Sequence, residues 1–356
     1  MAELVRTVAL LGATGSIGTQ TLDVLRRSPD HFKLVAVSGG TRIEELIAIV
    51  REFQVPFVGV LNESDARLVS AAFPSVDVVV GDEGLDGLAR GADVVVNAVV
   101  GFAGLAATLA ALDAGKRLAL ANKESLVAAA PLVDQVRSQR DCDLVPIDSE
   151  HCAIHQCLAG ADATDGYRSV KRLLLTASGG PFRTKSVSEL QHVTKADALN
   201  HPTWAMGPKI TIDSSTLMNK GLEVLEAAAL FGIAVDRIDV VVHPQSIVHS
   251  MVEYVDGSTL AQLSHPDMRL PIALALSWPH RSTYAIASVD WSQSSTWTFD
   301  PVDRATFPGL DLAYAAGRYG GIAPACYNAA NEEAVAAFIA GTLSFAAIPT
   351  IIERTM

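Results

Sequence analysis

"TVALLGATGSIGTQTLDVLRRS", residues 7–28, is the stretch whose reading decides the fold. An uninterrupted apolar run comes first, as in a strand buried on both faces. Gly12, Gly15 and Gly18 follow at three-residue spacing, and a helical pattern then runs from Ile17 to Ser28. A strand passing through a glycine turn straight into a helix brings backbone N–H groups close to an anion. The helix N-terminus adds a favourable field there. The spacing is a variant of the dinucleotide fingerprint, and the competing reading is a glycine turn kept for packing.

Working outward, apolar runs alternate with helical patterns up to about residue 147. "TVALLG", "KLVAVS", "FVGVL", "VDVVVG", "DVVVNAVV", "RLALAN" and "DLVPID" are the strand candidates. Continuous apolar strands separated by helices predict an α/β, Rossmann-like parallel-sheet domain over 1–147. From 148 to 276 the pattern changes to α+β, with two apolar runs around Asp256-Gly257 predicting an antiparallel hairpin. Residues 277–307 lack clean periodicity and read as a connecting segment; 308–356 read as helical.

Composition narrows the function classes. The chain has 356 residues, 49% hydrophobic and 19% charged, which fits a globular protein with real cores and not a disordered one. A net charge of −12 argues against a nucleic-acid partner, which requires a broad basic face. Cys142, Cys152, Cys157 and Cys326 show no paired metal spacing and read as reduced thiols. The N-terminus has no charged leader, and no run reaches the ~18–20 apolar residues of a membrane span, so a cytoplasmic protein is expected.

The second strand ends in "AVSGGTR", which includes Gly40 and has no acidic residue to meet a ribose hydroxyl. Arg42 is placed for a 2′-phosphate, which favours NADPH; otherwise it is a solvated first-turn residue. Gly101 and the run Asn122-Lys123-Glu124 lie at or after later strand ends, the edge where such sheets bind ligands.

"VPIDSEH" brings Asp148 and Glu150 to one side of a strand end, around Ser149. Their repulsion is relieved by a divalent cation such as Mg²⁺ or Mn²⁺, or the residues serve as helix caps; the motif alone leaves both open. His151 and His155, at i and i+4, lack the intervening glutamate of a zinc protease and read as packing or surface residues. Residues 210–232, "ITIDSSTLMNKGLEVLEAAALFG", read as one helix with an unusually polar start. Helical spacing puts Thr216, Asn219, Lys220 and Glu223 on one face. A Lys220–Glu223 pair alone leaves Gly221 unexplained; an anion site takes in the serines, Asn219 and Lys220. Ser178 in "LTASGGPFR" offers a second phosphate nest, and "NHPTWAMGPK", 200–209, reads either as a lid over a substrate or as a static loop whose Trp204 fills a hydrophobic cleft.

With "LANKES", "IDSEHCAIHQCL", "LTASGGPFR", "HPTWAMGPKITIDSSTLMNKGLE", "VVHPQSIVHSMVEYVDGS", "PDMRLPIA" and "YNAANEEAVAAF" in this order, the chain resembles the 1-deoxy-D-xylulose 5-phosphate reductoisomerase family over nearly its whole length. The resemblance implies a homodimeric, NADPH-dependent enzyme of non-mevalonate isoprenoid synthesis. It would use Mg²⁺, Mn²⁺ or Co²⁺, rearrange a phosphorylated sugar by a retro-aldol/aldol route and then reduce the aldehyde. It implies Asp148, Glu150 and Glu223 as metal ligands, and Ser149 and Lys123 beside the metal. Ser178, Ser214, Asn219 and Lys220 would hold phosphate, and His201, Trp204 and Met206 would sit on the lid. Lys123, Glu150 and His201 would be the catalytic groups. Thr14, Gly15, Ser16 and Ile17 would line the pyrophosphate; Gly12, Gly40, Arg42, Gly101, Asn122, Glu124 and Gly207 are the other expected cofactor residues.

Residues 148–276 are then expected to be the catalytic and dimerisation domain, and the antiparallel hairpin region is the expected dimer surface. Helix is expected beyond residue 356, so the C-terminal helical domain reads as incomplete. Ala13 and Arg42 stand where the family commonly has serine and asparagine. Two rivals remain. A semialdehyde-dehydrogenase-like enzyme would need a catalytic cysteine, with Cys152 the candidate. A redox-sensing nucleotide module would have no use for a carboxylate triad.

Overall fold

All seven expected strands form one parallel sheet: β1 (Arg6–Leu11), β2 (Phe32–Ser38), β3 (Phe57–Val60), β4 (Asp77–Val80), β5 (Val94–Asn97), β6 (Arg117–Leu120) and β7 (Leu144–Pro146). The computed structural model describes residues 5–161, 163–164, 167–200, 207–282 and 286–356. The strand order is β4-β3-β2-β1-β5-β6-β7. Val8, Ala9, Leu10 and Leu11 are all buried, which is why β1 reads as a continuous apolar run. The order reverses at β1, whose neighbours are β2 and β5, so the crevice for a ligand opens at the carboxyl ends of β1 and β5. Gly12 is the first residue beyond β1 and stands in that crevice.

The chain divides into two compact units. The first is Met1–Ser125, Ala129–Ser149 and Asp267–Ile286; the second is Leu126–Ala128, Glu150–Pro266 and Ala287–Met356. The expected division at 276 does not coincide with this one. Helix Arg269–Ser277 belongs to the first unit, where Ile272, Ala273, Ala275 and Leu276 join the core under the parallel sheet. Arg269 Nη1 also pairs at 3.0 Å with Asp23, on helix Ser16–Arg26. The apolar pattern of a nine-residue helix says that it is buried, but not which sheet it covers. Helices Gly309–Tyr319 and Ala323–Ile339, in the expected C-terminal helical part, fall in the second unit.

Among the described residues, the second unit carries a five-stranded sheet. Its strands are β8 (Val170–Ala177), β9 (Ile238–Val242), β10 (Val248–Tyr254), β11 (Thr259–Leu263) and β12 (Asp300–Pro301), in the order β11-β10-β8-β9-β12. β8 and β9 run parallel and the other pairs antiparallel. The Asp256-Gly257 hairpin joins β10 to β11 as expected. Gly257 takes φ 88°, and Asp256 Oδ1 accepts from the Ser258 N–H at 2.9 Å.

The segment 210–232 corrects the sequence reading. It is not one helix but the end of Pro208–Ser215 followed by Met218–Phe231, with Leu217 left-handed at φ 58° between them. The Thr216 hydroxyl donates back to the Ile212 carbonyl at 3.1 Å, closing the first helix. Thr216 therefore does not share the face of Asn219, Lys220 and Glu223. Helical spacing continued through the break and hid it, because leucine in that backbone conformation carries no sequence signal.

Candidate active site

The glycine turn after β1 is built as the spacing predicts. Gly12 takes φ 85°, and a Cβ there would lie 2.6 Å from the Ala98 carbonyl at the end of β5. Gly15 caps helix Ser16–Arg26, whose start has no side-chain cap and no acidic residue in its first turn. Thr14 is buried, and Gly15, Ser16 and Ile17 lie at the rim of the turn. The guanidinium of Arg42 donates to the Thr14 carbonyl, and its other nitrogen lies 3.1 Å from Glu45. Arg42 thus stands over the glycine turn, exposed, with Gly40 two residues before it.

The later strand ends bring further groups to the same edge of the first unit. The Asn122 amide donates to the Val99 and Gly101 carbonyls, each at 2.7 Å, and its oxygen caps Ser125 N–H at 3.0 Å. Asn122 is therefore occupied in shaping the Gly101 loop (φ 74°), with Glu124 buried beside it. Lys123, buried at the start of the next helix, places Nζ 3.0 Å from Asp148 Oδ2.

In the second unit, the first turn of helix Met218–Phe231 meets helix Ser149–Cys157. Lys220 Nζ lies 3.2 Å from Glu150 Oε1 and also pairs with Glu223, which accepts from the Asn219 amide. Glu223 and Lys220 are both buried. Asp148, two residues before Glu150, completes a group in which Asp148, Glu150 and Glu223 each offer a carboxylate oxygen within 4.8 Å of the others. Three hard oxygen donors at this spacing suit a divalent cation of the Mg²⁺ or Mn²⁺ type better than zinc.

The phosphate candidates fall on both sides of the Leu217 break. Ser214 ends one helix; Asn219 and Lys220 begin the next. The Ser178 loop backs onto the first of these: Gly180 has φ 67°, and a Cβ there would stand 2.7 Å from the Ser214 carbonyl. Ser178 and Ser214 are both half-buried. Gly207, exposed, caps helix Pro208–Ser215. His201, Trp204 and Met206 lie outside the described residues.

Gly221, which the Lys220–Glu223 pair left unexplained, is a point of close packing. A Cβ there would collide with the Tyr327 hydroxyl and stand 2.8 Å from Ala313 Cβ, so the glycine admits the C-terminal helices. Sequence reasoning also missed His151 as part of the site's support. Fully buried, it places Nε2 2.9 Å from the Glu223 carbonyl and Nδ1 3.1 Å from Glu226. Glu226, one turn beyond Glu223 and buried, was the available signal. Cys152 is buried, and burial pushes the Cys157 thiol up to about 11, the reverse of an activated nucleophile.

Comparison with known proteins places this geometry. A family model described as 1-deoxy-D-xylulose 5-phosphate reductoisomerase matches residues 8–130, the model of its C-terminal domain matches 144–231, and a DXP reductoisomerase C-terminal domain model matches 263–356. A Mycobacterium avium 1-deoxy-D-xylulose 5-phosphate reductoisomerase is 53% identical over 345 residues, 96% of this chain and 82% of that protein. One from Rhodococcus jostii is 54% identical, covering 95% and 83%. Among solved structures, a DOX-P reductoisomerase in complex with NADPH, fosmidomycin and magnesium superposes with TM-score 0.95 at 44% identity, covering 99% of this chain and 89% of that one. The Zymomonas mobilis enzyme in complex with NADPH gives TM-score 0.91 at 42% identity, covering 99% and 91%.

Proposed function

The chain belongs to the 1-deoxy-D-xylulose 5-phosphate reductoisomerase family, and from that premise we propose that it converts 1-deoxy-D-xylulose 5-phosphate to 2-C-methyl-D-erythritol 4-phosphate. NADPH is the reductant and a divalent cation the cofactor, in non-mevalonate isoprenoid synthesis. The observation that carries this reading is the group Asp148, Glu150 and Glu223, with carboxylate oxygens within 4.8 Å of one another beside Lys123 and Lys220.

Asp148, Glu150 and Glu223 hold the cation, which when bound polarises substrate oxygens as a Lewis acid. Lys123, which pairs with Asp148, and Glu150 would move protons at the substrate hydroxyls, with Ser149 and His201 as the other groups proposed there. Ser178, Ser214, Asn219 and Lys220 bind the phosphate, a remote handle whose binding energy orients the reacting end. His201, Trp204 and Met206, which lie outside the described residues, are proposed as further substrate contacts on the family resemblance alone. NADPH supplies the hydride; Gly12, Thr14, Gly15, Ser16, Ile17, Gly40, Gly101, Glu124 and Gly207 shape its place, Asn122 by holding the Gly101 loop, and Arg42 meets the 2′-phosphate.

Two finer readings accompany this one. Among the described residues β11 is an edge strand, with Leu260 exposed on it and Val255 exposed in the hairpin before it, and we propose the homodimer contact there. No described helix is long and apolar enough to cross a membrane, and with cellular NADPH as reductant we place the enzyme in the cytoplasm.

Glu223→Gln tests the site. Turnover is expected to be lost while NADPH still binds, read by nucleotide fluorescence titration. Near-normal turnover would reject Glu223 as a ligand.

A further inference from the structure

Tyr327 and Asn331 stand one turn apart on helix Ala323–Ile339, and both are fully buried. Each fastens a different half of the broken segment 208–231. The Tyr327 hydroxyl donates to the Gly309 carbonyl at 3.1 Å and fills the space that Gly221 leaves on helix Met218–Phe231. The Asn331 amide donates at 2.9 Å to Asp213 Oδ1, on helix Pro208–Ser215. Asp213 is itself buried, and its second oxygen pairs with Lys209 at 2.7 Å. One face of the C-terminal helix therefore spans the Leu217 turn and holds both sides of it.

Ser214 is the residue after Asp213; Asn219 and Lys220 lie across the turn. We infer that Asn331 is a positioning residue for the substrate phosphate: by holding Asp213 it fixes Ser214 relative to Asn219 and Lys220. The Ser178 loop follows, because Gly180 rests on the Ser214 carbonyl. The inference rests on the proposed function. Among the described residues, the hydrogen bond that orients the Asn331 side chain is the one to Asp213.

Steady-state kinetics separate positioning from packing. In Asn331→Leu, the KM for 1-deoxy-D-xylulose 5-phosphate is expected to rise about tenfold or more, as loss of a hydrogen bond to a buried carboxylate implies, with the KM for NADPH unchanged. Exchanging the partners, Asp213→Asn with Asn331→Asp, restores an amide–carboxylate bond and should bring the substrate KM back towards the unmodified value. If the leucine variant does not fold, Asn331→Asp has the native shape and sets two carboxylates against each other, and its substrate KM should rise. An unchanged substrate KM in a folded variant, or equal losses for substrate and NADPH, overturns the inference. The unmodified protein is the control: if it fails to turn over this substrate, the functional reading has failed, and not the role of Asn331.

Discussion

Lys220 places its ammonium 3.2 Å from Glu150 and in contact with Glu223, one turn along its own helix. The residue assigned to the substrate phosphate is thus an ion-pair partner of two residues assigned to the cation. The two sites share one charge.

That sharing predicts coupling. Phosphate gives Lys220 another partner and leaves Glu150 and Glu223 to the cation, so substrate and cation should each tighten the other's binding by the same factor. Lys220→Gln removes a positive charge next to the cation site. It should raise cation affinity in the absence of substrate, read by Mn²⁺ titration, while raising the substrate KM about tenfold or more. Weaker cation binding in this variant would contradict the assignment.

Arg42 lies over the glycine turn and bonds to the Thr14 carbonyl. If it also meets a 2′-phosphate, Arg42→Ala should weaken NADPH by about ten- to a hundredfold and leave NADH nearly unchanged, measured as the two dissociation constants. Equal losses for both nucleotides would make it a brace for the turn alone.

At Gly221, alanine gains about 1 kcal/mol of helix propensity, yet its Cβ has no room beside Tyr327 and Ala313. Gly221→Ala should lower the thermal midpoint, because overpacking costs about 1–3 kcal/mol, and Tyr327→Phe added to it should restore part of the loss by removing the hydroxyl. A midpoint raised by the single substitution would mean that the contact is not close-packed.

The parallel sheet was readable strand by strand, because strands buried on both faces leave unbroken apolar runs. The acidic triad was readable in part. Asp148 and Glu150 stand two residues apart just beyond β7, Glu150 already in the first turn of helix Ser149–Cys157 rather than in an extended strand end. Only the family resemblance brought in Glu223, 73 residues after Glu150. The helix break at Leu217 was not readable, since the apolar spacing runs on through it. Nor was the role of Gly221 or Asn331, because each is fixed by a side chain more than a hundred residues away: Tyr327 for Gly221 and Asp213 for Asn331. The place of helix Arg269–Ser277 failed for the same reason, an apolar face being blind to which core receives it.

NADPH oxidation, followed in the chelator-treated protein with 1-deoxy-D-xylulose 5-phosphate and Mg²⁺ or Mn²⁺ supplied singly and together, tests the central claim most directly. The account predicts oxidation, with formation of 2-C-methyl-D-erythritol 4-phosphate, only when both substrate and cation are present. Turnover at an undiminished rate without the cation would contradict it.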